Sequence, residues 1–132
     1  MSDKHKKTTT YYPSGEKRIE RYMLNNHLHR EAGPALIHFD QSGRVIREEY
    51  RDHNLLHRLD GPAEIHYHIN VNVSYEKYYK NGLLHRLDGP AIIFYDDDGQ
   101  YVDCSYYYIN NNSIICSSDE EFKKIVKLIM FR

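Results

Sequence analysis

Three copies of one short motif hold most of the residues in this chain that could do chemistry. Residues 56–63 and 84–91 both read LHRLDGPA, and residues 28–35 read LHREAGPA. The histidines stand at 29, 57 and 85, a constant spacing of 28. His57, Arg58 and Asp60, repeated as His85, Arg86 and Asp88 and in part as His29 and Arg30, have the residue types of a hydrolase site. Their near-identical copying argues against that use, because catalysis needs one asymmetric constellation in a concave pocket. A shared metal ion is ruled out by length. If each copy adds two strands at about 4.8 Å spacing, equivalent histidines lie about 9–10 Å apart, whereas zinc holds nitrogen at about 2.0–2.1 Å. The motif reads as a structural joint, with no catalytic residue, no metal and no cofactor assigned to it.

Glu20, Glu48 and Glu76 recur at the same offset, in the segment before each His-Arg pair. At the fourth position the glutamate becomes Cys104 and the His-Arg becomes Ser113-Ile114, so both partners vanish together. The expectation is that each glutamate pairs with the His-Arg of its own link, neutralising charges partly desolvated between stacked hairpins.

What differs between copies is more informative about a binding surface. His38, His66 and His68 form an outward band beside Asp40 and Glu64, and His66 and His68 with Glu64 have the types of a weak metal site. A single HxH on a strand is more commonly a solvated face. Tyr75, Lys77, Tyr79 and Lys80 interleave aromatic and basic residues, with Tyr107 nearby, as single-strand nucleic-acid binders do; tyrosines on a strand serve sheet packing equally well. The candidate binding residues are therefore His38, His66, His68, Tyr75, Lys77 and Tyr79, together with the turn at 68–71.

The elements that would carry these residues follow from the same register. Tyr11, Phe39, Tyr67 and Tyr95 align at the 28-residue offset, as do Tyr22, Tyr50, Tyr78 and Tyr106. After each Gly-Pro, Ala35, Ile37 and Phe39 alternate with Leu36, His38 and Asp40, and Ala63, Ile65 and Tyr67 with Glu64, His66 and His68. That two-residue period marks a strand with one buried face. A turn carrying Gly43 or Gly99 follows; the middle copy lacks the glycine, and Asn70 is the expected left-handed residue there. A second strand, rich in Val, Tyr and Ile, ends at Asn26, Asn54, Gly82 or Asn110, residue types that close hairpins. The third copy is apolar on both faces, Ile92 and Phe94 as well as Ala91, Ile93 and Tyr95, so something must cover it. Ser117 and Ser118 before Asp119, Glu120 and Glu121 make a capping signal, and Phe122, Ile125, Val126 and Ile129 share a stripe. A helix over about 119–131 is expected to cap the last hairpin and blunt its edge.

The fold class is mainly β: tandem 28-residue β-hairpin repeats forming an elongated twisted antiparallel sheet, with a C-terminal capping α-helix. The division is a disordered tail over 1–10, hairpin repeats over 11–114 and the helix over 115–132. The stretch NGLLHRLDGPAIIFY resembles MORN-like (membrane occupation and recognition nexus) repeats found in tandem in phage and giant-virus proteins, over residues 11–114. This resemblance implies an interaction scaffold that binds another protein. For a viral chain, the partner would be a host protein in the host cytoplasm, and the sharpest version is inhibition of a host defence factor by occlusion.

Two other uses remain open. Arg30, Arg58 or Arg86 could hold a small phosphate-bearing ligand or nucleotide, provided that they are free in a groove rather than tied to Glu20, Glu48 and Glu76. Alternatively, open sheet edges at residues 11–13 could build an obligate homo-oligomer.

Composition bounds these uses. The 132 residues suffice for one domain with a modest core, and the aromatics are skewed to tyrosine, 13 Tyr against 4 Phe and no Trp. Net charge is −1, from 18 basic and 19 acidic residues, so no overall field draws nucleic acid or an acidic membrane. The polar start MSDKHKKTTT lacks the apolar core of a signal peptide, and no apolar run has membrane-spanning length. Two cysteines, Cys104 and Cys116, do not make a disulfide framework and are expected to be small apolar fillers with free thiols. A cytoplasmic protein fits this composition.

Overall fold

The computed structural model describes residues 2–131, so Met1 and Arg132, the outer ends of the expected tail and helix segment, lie outside the described residues. Among the described residues, fourteen strands precede one helix. They are β1 (His5–Tyr11), β2 (Lys17–Leu24), β3 (His27–Leu28), β4 (Leu36–Phe39), β5 (Val45–Glu49), β6 (Arg51–Asp52) and β7 (Leu55–Leu56). Then come β8 (Glu64–Tyr67), β9 (Val73–Lys77), β10 (Tyr79–Lys80), β11 (Leu83–Leu84), β12 (Ile92–Tyr95), β13 (Val102–Ile109), β14 (Asn112–Ile114) and α1 (Asp119–Met130).

The main sheet is antiparallel and runs β1-β2-β4-β5-β8-β9-β12-β13-β14, with β3 attached to β2. Two-stranded ribbons, β6 with β7 and β10 with β11, extend the middle hairpins. The ribbon ends close with successive positive φ angles: Asn25 and Asn26, His53 and Asn54, Asn81 and Gly82, Asn110 and Asn111. These are the angles of the tight hairpin turn whose twist matches its strands, which is why asparagine and glycine dominate there. At the opposite ends Asp40 organises the turn. Its Oδ1 accepts from the Ser42 N–H at 2.9 Å and the Arg44 N–H at 3.0 Å, while Gly43 takes φ 89°.

The disordered tail expected over 1–10 gives way to a strand within the described residues. From His5 onward the chain forms β1, which pairs with β2 from His5 opposite Leu24 to Tyr11 opposite Lys17. The β-branched run Thr8–Thr10 suits a strand, and main-chain pairing on an open edge replaces the apolar burial that the segment lacks. The edge of the sheet is therefore β1, rather than residues 11–13. In the glycine-less turn Val71, not Asn70, takes the left-handed position, at φ 66°. Asn70 instead holds the turn with its side chain, accepting from the Asn72 N–H at 3.1 Å and donating to the Asp97 carbonyl at 2.8 Å.

One residue changes the register of the last hairpin. Phe39 faces Val45 and Tyr67 faces Val73, but Tyr95 faces Val102, because the 96–101 turn is one residue longer. Ser105, rather than Cys104, consequently stands opposite Ile93, where Glu48 and Glu76 stand opposite Ile37 and Ile65. Cys104 faces Phe94 and is exposed, so it is not a core filler; both thiols are free.

The core is thin. Ala35, Ala63, Ala91 and Phe122 are completely buried, with Leu24, Ile65 and Ile93 nearly so. α1 starts at Ser118, whose hydroxyl accepts from the Glu121 N–H at 3.1 Å, and Glu121 reaches back to the Ser117 N–H at 2.9 Å. Phe122 stacks on Tyr107 with ring centroids 4.6 Å apart, and Asp119 accepts from the Tyr107 hydroxyl. The helix thus seats on the last hairpin through Tyr107, while Phe94 is flanked by Tyr75 and Tyr106. Its far end, Leu128 to Phe131, stays exposed. No helix among the described residues is long and apolar enough to cross a membrane.

Candidate functional site

The His-Arg links build the frame. Arg30, Arg58 and Arg86 lie over the rings of Tyr22, Tyr50 and Tyr78, at 3.7, 3.8 and 4.0 Å from the centroids. Each Nη1 donates to the carbonyl of the proline four residues on, Pro34, Pro62 or Pro90, at 3.1–3.2 Å. Nε of Arg58 and Arg86 donates to Asp60 and Asp88; the first copy has Ala32 there. A Cβ on Gly61 would lie 2.9 Å from the Arg58 Cζ, and on Gly33 or Gly89 3.1 Å from that of Arg30 or Arg86. A Cβ there would crowd the guanidinium, and proline supplies the acceptor. His29, His57 and His85 turn Nδ1 to the next ribbon turn, accepting from the N–H of His53, Asn81 and Asn110 at 3.1, 2.9 and 3.1 Å.

The expected glutamate pairing is overturned. Glu48 and Glu76 accept from the hydroxyls of Tyr67 and Tyr95, and Glu20 pairs with Lys17 at 2.9 Å and Lys7 at 3.8 Å. These glutamates lie in a back-face row, Glu20-Ile37-Glu48-Ile65-Glu76-Ile93, whereas the links fold over the tyrosines at the hairpin bases. Burial and the carboxylate beside them raise the Tyr67 and Tyr95 hydroxyls well above the usual tyrosine range. The link arginines are thus neither tied to glutamate nor free for a phosphate.

The front face holds the residues that vary between copies. One cross-strand row reads Ile19-His38-Arg47-His66-Tyr75-Phe94-Cys104. The neighbouring row reads Arg21-Leu36-Glu49-Glu64-Lys77-Ile92-Tyr106. Four of the expected binding residues, His38, His66, Tyr75 and Lys77, share this face in adjacent rows. His66 and Tyr75 stack with centroids 4.0 Å apart. Tyr79 lies near enough to Glu64 and Glu49 for their charge to act on its hydroxyl, which burial first of all raises. His68 falls out of the set, because the register shifts between His66 and Tyr67 and breaks the two-residue alternation.

The band is not simply solvated. Glu49 is 2% and Glu64 7% exposed, with Arg47 reaching toward both and Arg51 Nε bonding Glu49 Oε1 at 2.7 Å. Burial pushes the Glu64 carboxyl up, but the His66 ring, Lys77 and Arg47 more than offset it and hold it below the usual range. Burial and the cations Arg18, Arg47 and Arg21 hold His38 below the usual histidine value. Burial and Glu64 raise the Tyr75 hydroxyl to about 12. Both carboxylates are held by the arginines beside them.

No family model, curated protein or solved structure matches the chain. Its function must be argued from its own surfaces. Glu64, His66 and His68 do not close into a ligand set; among the described residues, the group that does gather is His29, Asp52 and His53. Sequence reasoning missed Arg47, Glu49 and Arg51 on the front face and Asp52 and His53 at the ribbon turn. Their signal is the string REEYRDH, the one ribbon with a charge at almost every position.

Proposed function

We propose that the chain is a non-catalytic protein-binding module of MORN-like tandem hairpin repeats, which presents its front face to another protein. The observation that carries this reading is the segregation of the two kinds of position. Residues copied every 28 positions, the His-Arg-Gly-Pro links and the tyrosines under them, are consumed in holding hairpins together. Those that vary gather on one face, where Tyr75 and Phe94 line up beside His38, His66 and Lys77. Aromatic side chains next to partly desolvated polar groups are the composition of protein-interface centres. If the chain is viral, as the repeat spelling suggests, the partner is a host protein occluded by this face in the host cytoplasm.

The phosphate-ligand reading is weaker, because the link arginines already have a tyrosine face and a proline carbonyl as partners. Edge-to-edge assembly is discouraged by Lys6 and Lys7 on the exposed strand β1.

A pull-down from host extract with three proteins tests the proposal. Wild type and the back-face variant Thr9→Glu should retain the same protein, and the front-face variant Tyr75→Ala/Lys77→Glu should lose it. Equal retention by all three would remove the front face from consideration.

A further inference from the structure

The ribbon turn at His53 differs from its counterparts in ways that hairpin closure does not require. In the other turns the first left-handed residue is asparagine: Asn25 at φ 50°, Asn81 at 49° and Asn110 at 47°. Here it is His53, at φ 44°, a conformation that asparagine adopts more cheaply. The residue before it is Asp52, where the corresponding positions hold Leu24, Lys80 and Ile109. Both lie against His29, the link histidine, which is 9% exposed.

The geometry concentrates electron pairs. His29 Nδ1 accepts the His53 N–H at 3.1 Å, so it carries no proton, and it lies 3.3 Å from Asp52 Oδ1. Two acceptors therefore face each other with no hydrogen between them. The same Oδ1 lies 2.5 Å from His53 Nδ1, and the two imidazole centroids are 4.5 Å apart. One ligand atom from each of the three residues falls within 4.8 Å of the other two. Donors on a single zinc-like ion, at about 2.0–2.1 Å from it, are about 3.3 Å apart, so only a small closure separates this arrangement from a coordination shell.

We propose that His29, Asp52 and His53 form a binding site for one divalent transition metal ion of the zinc, cobalt or nickel class. Two imidazole nitrogens and one carboxylate oxygen suit these ions rather than calcium or magnesium. Three protein ligands leave a fourth position for water or for a side chain brought by a partner. For the neutral His53 ring to ligate through Nδ1, the proton that this nitrogen shares with Asp52 Oδ1 moves to Nε2 of the same ring, and coordination through His29 Nδ1 replaces the hydrogen bond from the His53 N–H. The other two links cannot build the site: His57 meets Lys80 and Asn81, and His85 meets Ile109 and Asn110. The site is thus a departure from the 28-residue pattern rather than a product of it.

Titration of the full chain with cobalt(II) chloride, read by ligand-field absorption and by isothermal calorimetry, tests this. Wild type should take up one equivalent. His53→Asn restores the residue of the other turns, so it should fold at least as well as wild type while binding cobalt at least about tenfold more weakly. Asp52→Asn should weaken binding similarly, and His66→Asn/His68→Asn should leave it unchanged. Absence of uptake by wild type, uptake undiminished by His53→Asn, or loss through the His66/His68 variant instead would each overturn the assignment.

Discussion

Glu49 and Glu64 stand directly opposite each other across β5 and β8, and both are buried. Two facing carboxylates would repel, and Arg47, two residues along β5 on the same face, turns back toward both. The front face is therefore organised around an ion cluster rather than an apolar centre. Replacing Arg47 by Met keeps the stem and removes the charge. The expected loss is about 2 kcal/mol, below that of a fully buried pair because the Arg47 side chain is 38% exposed. An unchanged urea midpoint would show that Arg51 alone neutralises Glu49.

The back-face glutamates depend on tyrosine. Tyr67→Phe or Tyr95→Phe removes the hydroxyl that donates to Glu48 or Glu76. Each should cost about 1–2 kcal/mol, the range for leaving a part-buried acceptor unpaired. Chemical denaturation of the two variants measures it directly.

Gly61 is required by Arg58. Gly61→Ala places a methyl 2.9 Å from the guanidinium carbon and should cost about 1–3 kcal/mol by overpacking. In an Arg58→Ala background that cost should nearly vanish. A double-mutant cycle with no coupling would mean that glycine is needed for some other reason.

Stability should fall on mild acidification. His38 is held below its ordinary value by burial and by Arg18, Arg47 and Arg21, and His85 by burial and Lys80. Such groups take up protons more readily unfolded than folded. Their stabilisation is complete above about pH 6.5 and is lost as pH falls through the lower folded values. His38→Gln should flatten the profile below about pH 6.5. A second decline lies further down, where the depressed carboxyls of Glu64, Asp52 and Asp40 titrate, the last held to about 2 by its bonds to Ser42 and Arg44.

Phe122 occupies at Tyr107 the place that Arg58 and Arg86 occupy at Tyr50 and Tyr78. Phe122→Ala should release α1 at a cost of about 3 kcal/mol locally. Amide exchange should show the helix losing protection while β8, β9 and β12 keep theirs. Equal loss everywhere would make the helix part of one cooperative unit.

Much of this was legible in the residues. The two-residue alternation after each Gly-Pro, the asparagine and glycine turns and the Ser118 cap are local signals, and each appears where the local chemistry puts it. β1 was not legible, because HKKTTTY pairs through its main chain and carries almost no side-chain signal. The shift at β13 was hidden as well: a fixed offset matched Cys104 to the glutamates, although one extra turn residue moves Ser105 into that place.

The partners of the charged residues show the division most clearly. Spacing alone marked His29, His57 and His85 and their arginines as joints, because identical residues at a fixed interval share a structural role in each copy. Which groups they join was decided by the tertiary structure. Glu20 and Tyr22 stand two residues apart on β2 and share a face, but Arg30 is taken up by the Tyr22 ring and the Pro34 carbonyl and Glu20 by Lys17 and Lys7, so groups matched in sequence do not pair. Arg58 and Glu48 keep one period and take different partners, the Tyr50 ring and the Tyr67 hydroxyl, while Arg47, Glu49, Glu64 and His66, which keep none, are brought onto one face.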